Sequence, residues 1–123
     1  MRHEYYLYTK EQLLANGPKL PVLVMKDNAQ VFSSMAREMA EEIKAHNAAG
    51  EKTVFICPVG PVGQYPYFVD MVNRERISLK NVWFINMDEY LNDDQTWVSK
   101  DHPLSFRGFM DRQVYSRIDP ELV

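Results

Sequence analysis

Three short segments of the chain carry hydrophobic residues at consecutive rather than alternate positions. They are Leu20–Met25 (LPVLVM), Thr53–Cys57 (TVFIC) and Asn81–Asn86 (NVWFIN), and all three are rich in β-branched or aromatic residues. Continuous apolar segments of this length are typical of strands that are covered on both faces. The pattern therefore predicts three buried strands.

A helical spacing of apolar positions follows each predicted strand. The first helix is predicted over Asn28–Asn47, with Asp27 or Asn28 as its cap and Gly50 just past its end. Its apolar face consists of Phe32, Met35, Ala36, Met39, Ala40 and Ile43. A second helix is predicted after Gly63, where Tyr65, Phe68, Val69 and Val72 share a face. A third is predicted over Pro103–Ile118, although Gly108 weakens it.

Strands that alternate with helices indicate an α/β fold with a parallel sheet and right-handed crossovers. At 123 residues, the chain has the length of one compact domain. Ligands of such sheets bind beyond the carboxyl ends of the strands. Two segments are predicted there, the loop PVGPVG at residues 58–63 and the segment MDEY at residues 87–90.

Two adjacent acids, Asp88 and Glu89, follow the last predicted strand. If the alternation of side chains continues past Asn86, they lie on opposite faces and have different roles. A carboxylate at the rim of an apolar strand is partly desolvated, which makes Asp88 a candidate general base for removing a proton from carbon beside a carbonyl. The alternative is that both acids are solvated loop residues or cap a following turn.

The loop after Cys57 has two interpretations. Gly60 and Gly63 permit a tight turn and close approach of a ligand, and a helix starting near Tyr65 would offer free N–H groups to a phosphate. The loop has no lysine, serine or threonine, so it is neither a Walker A nor a dinucleotide motif. A plain connection between strand and helix is the alternative.

Composition narrows the class of protein. Hydrophobic residues make up 46% of the chain and charged residues 25%, with a net charge of −3. No basic surface for nucleic acid and no membrane-spanning segment is expected. The polar N-terminus and the lone Cys57 favour a soluble, cytoplasmic protein, with Cys57 as a small core residue rather than a nucleophile.

The segments SLKNVWFINMDEYL and DHPLSFRGFMDRQVYSRID resemble the glucosamine-6-phosphate deaminase/isomerase family. The NMDEY motif and the later H-P-x-S-[Y/F]-x-x-F-M arrangement occur in the family's order, and TVFICPVG occupies the place of its strand and phosphate loop. The resemblance extends over about residues 20–120. It implies a Rossmann-like three-layer sandwich with a parallel sheet, of which residues 1–123 form a single domain or an N-terminal portion.

The resemblance also implies a function. Family members convert an amino-sugar phosphate into a ketose phosphate and release ammonia, without a cofactor or metal. By position, Asp88 is the expected catalytic residue that moves a proton between C1 and C2 of the sugar, and Gly60, Val62, Gly63 and Glu89 are the expected substrate-binding residues. The related 6-phosphogluconolactonases usually have arginine after the acid pair, so Tyr90 favours a deaminase.

Two departures from the family pattern leave alternatives open. Val59, Pro61 and Val62 occupy positions where the family has hydroxyl-bearing or glycine residues, and each lost hydrogen bond to a charged group costs about 1.5 to 3 kcal/mol. The family's ring-opening histidine and acids are absent, and His102 matches a helix entry with a structural role. A noncatalytic ligand-binding or interaction module is therefore the second hypothesis. A sheet of three strands leaves apolar edges, so we expect a homo-oligomer or a larger domain.

Overall fold

The structure, a computed structural model, describes residues 7–15 and 20–123. The helices and strands are, in chain order, α1 (Lys10–Ala15), α2 (Asn28–Ala49), β1 (Thr53–Cys57), α3 (Gln64–Glu75), β2 (Val82–Asn86) and α4 (Phe106–Gln113). Short 3-10 helices follow at Tyr115–Arg117 and Pro120–Leu122. The order β1–α3–β2 is the predicted strand–helix–strand unit.

Strands β1 and β2 pair in parallel, with Thr53 opposite Val82 and Cys57 opposite Asn86. Helix α3 forms the crossover between them. The predicted α/β class with a parallel sheet is therefore confirmed. Both strands end at the same edge of the sheet, as parallel strands must.

Helix α2 begins and ends where the sequence indicates. The Asp27 side chain accepts a hydrogen bond from the Gln30 N–H at 2.8 Å, which satisfies one of the unpaired groups of the first turn. Gly50 has φ 71° and donates its N–H to the last turn, so a left-handed glycine ends the helix. The prediction for this helix is confirmed to within two residues at its C-terminal end.

The first predicted strand, Leu20–Met25, is wrong. No β-pairing is formed by this segment within the part of the chain that is described, and its side chains are exposed except for the half-buried Met25. Apolar β-forming residues fit a covered strand, but a strand exists only where a neighbouring edge accepts its hydrogen bonds. The described residues place no such edge beside it.

One face of the sheet carries the core. Phe55 of β1 and Phe84 of β2 lie on that face, 5.8 Å apart between ring centroids, and Phe68 of α3 meets Phe84 edge-on at 6.0 Å. Residues from all the larger helices and the C-terminal segment complete it, and its fully buried members include Ala36, Ile43, Phe68, Val72, Met110 and Val114. The helices and the sheet therefore form two packed layers.

The opposite face of the sheet is exposed among the described residues. Val54 and Ile56 of β1 and Trp83 and Ile85 of β2 all project from it into solvent. The prediction that these strands are covered on both faces is therefore wrong for this part of the chain. A third layer of the expected sandwich would have to cover these side chains.

Helix α4 is shorter than predicted, because it begins at Phe106 rather than near Pro103 and ends at Gln113. Ser105 caps it, since the Ser105 hydroxyl oxygen accepts a hydrogen bond from the Gly108 N–H at 3.1 Å. A Cβ atom at Gly108 would lie 2.0 Å from the carbonyl oxygen of Lys100. The glycine that weakens the helix pattern is thus required by the close approach of the preceding loop.

None of the helices in residues 7–15 and 20–123 combines the length and the apolar character that crossing a bilayer requires.

Candidate functional site

A cavity of about 700 Å³ lies at the carboxyl end of β2. Its walls are formed by the end of β2 with the three residues after it, Met87 to Glu89, by the first turns of α4, and by the intervening loop at Leu91, Trp97 and Lys100. The position agrees with the general rule for parallel sheets, where ligands bind beyond the carboxyl ends of the strands. The segment MDEY, predicted as a site from sequence, therefore borders a cavity.

Asp88 lies at the rim of this cavity and is exposed. The alternation predicted for β2 holds within the strand, because Phe84 and Asn86 are half-buried while Trp83 and Ile85 are exposed. A hydrogen bond from the Met87 N–H to the Cys57 carbonyl, at 3.0 Å, extends the ladder one residue past β2. The expectation that Asp88 is the partly desolvated acid is wrong, because Asp88 is exposed and its neighbour Glu89 is the buried acid of the pair. The catalytic role of Asp88 stays a prediction.

Glu89 is held differently from its neighbour, because its side chain is only 2% exposed. One carboxylate oxygen, Oε1, accepts hydrogen bonds from the backbone N–H groups of Tyr90 and Phe106, both at 2.9 Å. The other, Oε2, accepts from the Arg107 backbone N–H at 2.9 Å and the Ser105 hydroxyl at 3.1 Å. Glu89 therefore caps α4 from outside the helix and fastens it to the end of β2.

These contacts set the charge state of Glu89. Burial raises the pKa of the carboxyl group, but hydrogen bonds from the backbone N–H groups of Arg107, Phe106 and Tyr90 and from the Ser105 hydroxyl outweigh it and lower the pKa to about 2. A carboxylate at the start of a helix is also favoured by the helix dipole. Glu89 is consequently ionised at neutral pH, and its oxygens are occupied by protein donors. Its predicted role in substrate binding stays a prediction, and the contacts support a positioning role.

Arg107 joins Glu89 to the loop at the mouth of the cavity. Its Nε lies 3.4 Å from Glu89 Oε2, and its Nη2 donates a hydrogen bond to the Val98 carbonyl at 2.7 Å. Its guanidinium carbon also lies 5.7 Å from the centre of the Trp97 ring. Across the cavity, Lys100 pairs with Asp111. The site thus contains both acidic and basic side chains.

The glycine loop lies apart from this cavity. Gly60, Val62 and Gly63, the other predicted substrate-binding residues, are not among its walls. Val62 packs against the core, and a Cβ at Gly63 would lie 2.3 Å from the Phe32 ring. The loop flanks a second cavity of about 470 Å³ between α2 and β1. The backbone N–H groups of these three residues make no bond to another backbone group in the described parts of the chain.

Two further residues of the cavity, Lys100 and Arg107, have no functional role in the prediction from sequence, whereas Trp97 is predicted in a mobile loop that lies near the site or at a subunit contact. Arg107 lies in the first turn of α4, where the sequence pattern indicates only an exposed helix face. Trp97 lies in a polar loop. The only sequence signal was a tryptophan in the otherwise polar segment NDDQTWVSKD. Asn86 was also not selected, yet its Nδ2 is buried beside the cavity and has no hydrogen-bond partner among the described residues.

No metal cluster is formed by the described residues, since no three His, Cys, Asp or Glu side chains come close enough to share an ion.

Comparison with known proteins adds a sequence and a fold relationship. No family model matches the chain. A glucosamine-6-phosphate deaminase of Bacteroides fragilis is 34% identical over 101 residues, which is 80% of this chain and 36% of that protein. The enzyme of the same name from Borrelia garinii subsp. bavariensis is 34% identical over 87 residues, which is 68% of this chain. The one from Serratia proteamaculans is 30% identical over 101 residues, which is 80% of this chain.

A solved structure has a similar fold. It is described as a monomeric glucosamine-6-phosphate deaminase and a missing link of the NagB superfamily. It matches with a TM-score of 0.68 and 23% identity over 84% of this chain and 41% of its own. The chain spans 36% of the length of the Bacteroides and Serratia relatives and 31% of the Borrelia relative. The structural match shows a related fold, and the sequence matches show that the chain belongs to the glucosamine-6-phosphate deaminase family.

Proposed function

We propose that this chain is the part of an amino-sugar-phosphate isomerase and deaminase that supplies the proton-transfer residue, Asp88. The observation that carries the proposal is the contrast between two adjacent acids. Glu89 is enclosed by donors from Ser105, Phe106 and Arg107, whereas Asp88 is exposed at the cavity. A general base must reach the proton that it removes, and Asp88 is the acid of the pair with room for a substrate.

The reaction is an aldose–ketose isomerisation by proton transfer. Asp88 removes a proton from the carbon beside the carbonyl or imine carbon of the open-chain substrate and returns it to the neighbouring carbon, so the same carboxylate acts as base and then as acid. Water then displaces ammonia from the nitrogen-bearing carbon. None of these steps requires a metal or an organic cofactor.

Glu89 supports this chemistry by position. Because its carboxylate connects the end of β2 to the first turn of α4, the backbone between Met87 and Tyr90 is fixed at both ends. Holding a catalytic group in one orientation converts binding energy into rate. The two acids of the motif thus have separate roles, one chemical and one structural.

The substrate of the proposed reaction is a sugar phosphate. Its anionic phosphate group needs hydrogen-bond donors from the protein. The loop lacks hydroxyl groups, so the backbone N–H groups of Gly60, Val62 and Gly63 at the start of α3 are the donors that this segment can offer. A helix N-terminus favours an anion through its dipole as well as its free N–H groups.

The test is exchange of the substrate proton with solvent. In D₂O, the complete protein is expected to incorporate deuterium at C2 of glucosamine 6-phosphate, followed by mass spectrometry or NMR, and Asp88→Asn is expected to abolish the exchange. Asp93→Asn is the matched control, because Asp93 is an exposed acid of the following loop that does not border the cavity. Exchange that persists in Asp88→Asn at the parental rate would remove Asp88 from the mechanism.

A noncatalytic ligand-binding module is the second candidate, and the loop favours it. Val59 and Val62 pack against the core at positions where the family carries phosphate-binding hydroxyls. Under this candidate, calorimetry detects binding of the sugar phosphate to the parent protein, and the parent exchanges no proton.

We also propose a homo-oligomer, because the exposed sheet face around Ile56 and Trp83 would be covered by a second copy. Sedimentation of the protein tests that assembly.

A further inference from the structure

The loop between β2 and α4 presents a tryptophan at the mouth of the cavity. Trp97 is 63% exposed, although it borders the same cavity as Asp88. An indole ring is among the largest apolar surfaces that a side chain can bury, so leaving it exposed forfeits a favourable contribution to folding. An exposed tryptophan on a free loop tip would be unremarkable, and the local contacts decide whether Trp97 is of that kind.

The backbone around Trp97 is held in place. An antiparallel bridge joins Leu91 to Trp97, and the Asn92 N–H donates to the Thr96 carbonyl at 2.8 Å. The Asn92 side-chain amide donates to the Trp97 carbonyl at 3.2 Å. The Val98 N–H donates to the Tyr90 carbonyl at 3.2 Å. The segment is therefore a closed hairpin that starts directly after the acid pair.

The ring itself is also positioned. The Arg107 guanidinium group lies over the Trp97 ring, 5.7 Å from its centre, and Arg107 is in turn bonded to the Val98 carbonyl and paired with Glu89. This succession of contacts connects the ring to the end of β2. Arg107 lies over one face of the ring, and most of the side chain is still exposed. The uncovered ring surface is therefore held beside the cavity.

We infer that Trp97 is a ligand-binding residue on which the C–H face of the sugar-phosphate substrate packs. The inference rests on the proposed function, since it names the platform for the substrate that Asp88 acts on. Aromatic side chains with a few polar groups are the usual lining of small-molecule sites, and C–H groups of a sugar pack well on an indole face. The two basic side chains of the same walls, Lys100 and Arg107, are paired with Asp111 and Glu89, so the exposed ring and not the charge of the walls carries the inference.

The chain offers a matched control for this inference. Trp83, the other tryptophan, is 58% exposed and also has a cation beside it, with Lys52 Nζ 5.5 Å from the ring centre. Trp83 projects from the open face of the sheet and does not border the cavity. Substitutions of the two residues therefore remove similar exposed surfaces at different places.

The experiment titrates the complete protein with glucosamine 6-phosphate while tryptophan fluorescence is recorded. The parent and Trp83→Phe are expected to show a saturable change, and Trp97→Phe is expected to lose it. Trp97→Ala is expected to bind about tenfold more weakly by calorimetry, equivalent to about 1.4 kcal/mol, with circular dichroism and Tm close to those of the parent. Trp83→Ala is expected to bind as the parent does.

Two outcomes would overturn the inference. One is unchanged affinity of Trp97→Ala for glucosamine 6-phosphate, and the other is a fluorescence change that disappears with Trp83→Phe instead. Either result, together with normal proton exchange by the parent, would refute the platform and leave Asp88 in its role. Binding of glucosamine 6-phosphate that depends on Trp97, without proton exchange in the parent, would support the platform and refute the catalytic proposal. The two failures are therefore distinguishable.

Discussion

Replacing Glu89 by glutamine tests the central structural claim, that this acid fastens α4 to the end of β2. The substitution keeps the size of the side chain and replaces one oxygen by an amino group. Both oxygens face at least two donors, from Tyr90 and Phe106 on one side and from Ser105 and Arg107 on the other. Whichever position the amino group takes, it therefore faces two N–H groups that cannot accept its hydrogens, either those of Tyr90 and Phe106 or the backbone N–H and Nε–H of Arg107.

The expected cost follows from those unmatched donors. Each buried donor that loses its acceptor costs about 1 to 3 kcal/mol, and at least two are affected, so Glu89→Gln is expected to lower the free energy of unfolding by at least about 2 kcal/mol. For a domain of this size, such a loss lowers Tm by roughly 10 °C. Urea or thermal denaturation followed by circular dichroism measures it.

Asp88→Asn is the matched control, because it makes the same chemical change one residue earlier. Asp88 is exposed at the rim of the cavity, so the substitution is expected to change the free energy of unfolding by no more than about 0.5 kcal/mol. The pair should therefore separate stability from activity: Asp88→Asn stays folded and loses proton exchange, whereas Glu89→Gln loses stability.

The pH dependence gives a second measurement of the same contact. Because the pKa of Glu89 is lowered from 4.5 to about 2 in the folded protein, its contribution is fully present above pH 4.5 and is lost as the pH falls towards 2. The stability difference between the parent and Glu89→Gln is thus expected to shrink over that interval. Equal stability of the parent and Glu89→Gln at neutral pH, or a difference that does not change down to pH 2, would refute the capping role.

Two further predictions concern close packing. Gly108→Ala is expected to destabilise the protein by about 1 to 3 kcal/mol, because its Cβ would overlap the Lys100 carbonyl oxygen. Adding Lys100→Ala should not restore the stability, since the clash is with the backbone. A gain in Tm, which helix propensity alone predicts, would contradict this reasoning. Cys57 is 3% exposed and burial raises the pKa of its thiol, so labelling by a thiol reagent at neutral pH is expected to be slow in the folded protein and fast in urea; rapid labelling without denaturant would contradict its place in the core.

The local sequence pattern was sufficient to predict the helices and strands whose apolar spacing and end residues are all present in the segment itself. The spacing of apolar residues, Asp27 as a cap and Gly50 at the end together specify α2, and the β1–α3–β2 unit follows from apolar segments separated by a helical period. The NMDEY motif predicts a site at the end of β2, and a cavity lies there. In these cases the residues that decide the outcome are neighbours in the chain.

Local pattern failed where the deciding group lies elsewhere in the chain. Leu20–Met25 has the composition of a strand but finds no edge to pair with in the described residues, and Val54, Ile56, Trp83 and Ile85 have the composition of a covered face but have no layer over them. Composition reports what a segment could bury, whereas pairing and coverage depend on which surfaces meet it.

For this protein, the sequence by itself determined the α/β class, the parallel unit and the position of an acid pair beyond β2. Only the tertiary structure decided which of those acids is free. Glu89 and the donors at the start of α4 are separated by a long loop, and the choice depends on hydrogen bonds that form only when that loop closes. The same closure places Trp97 and Arg107 beside Asp88, because contacts between distant residues arise from folding and not from spacing along the chain.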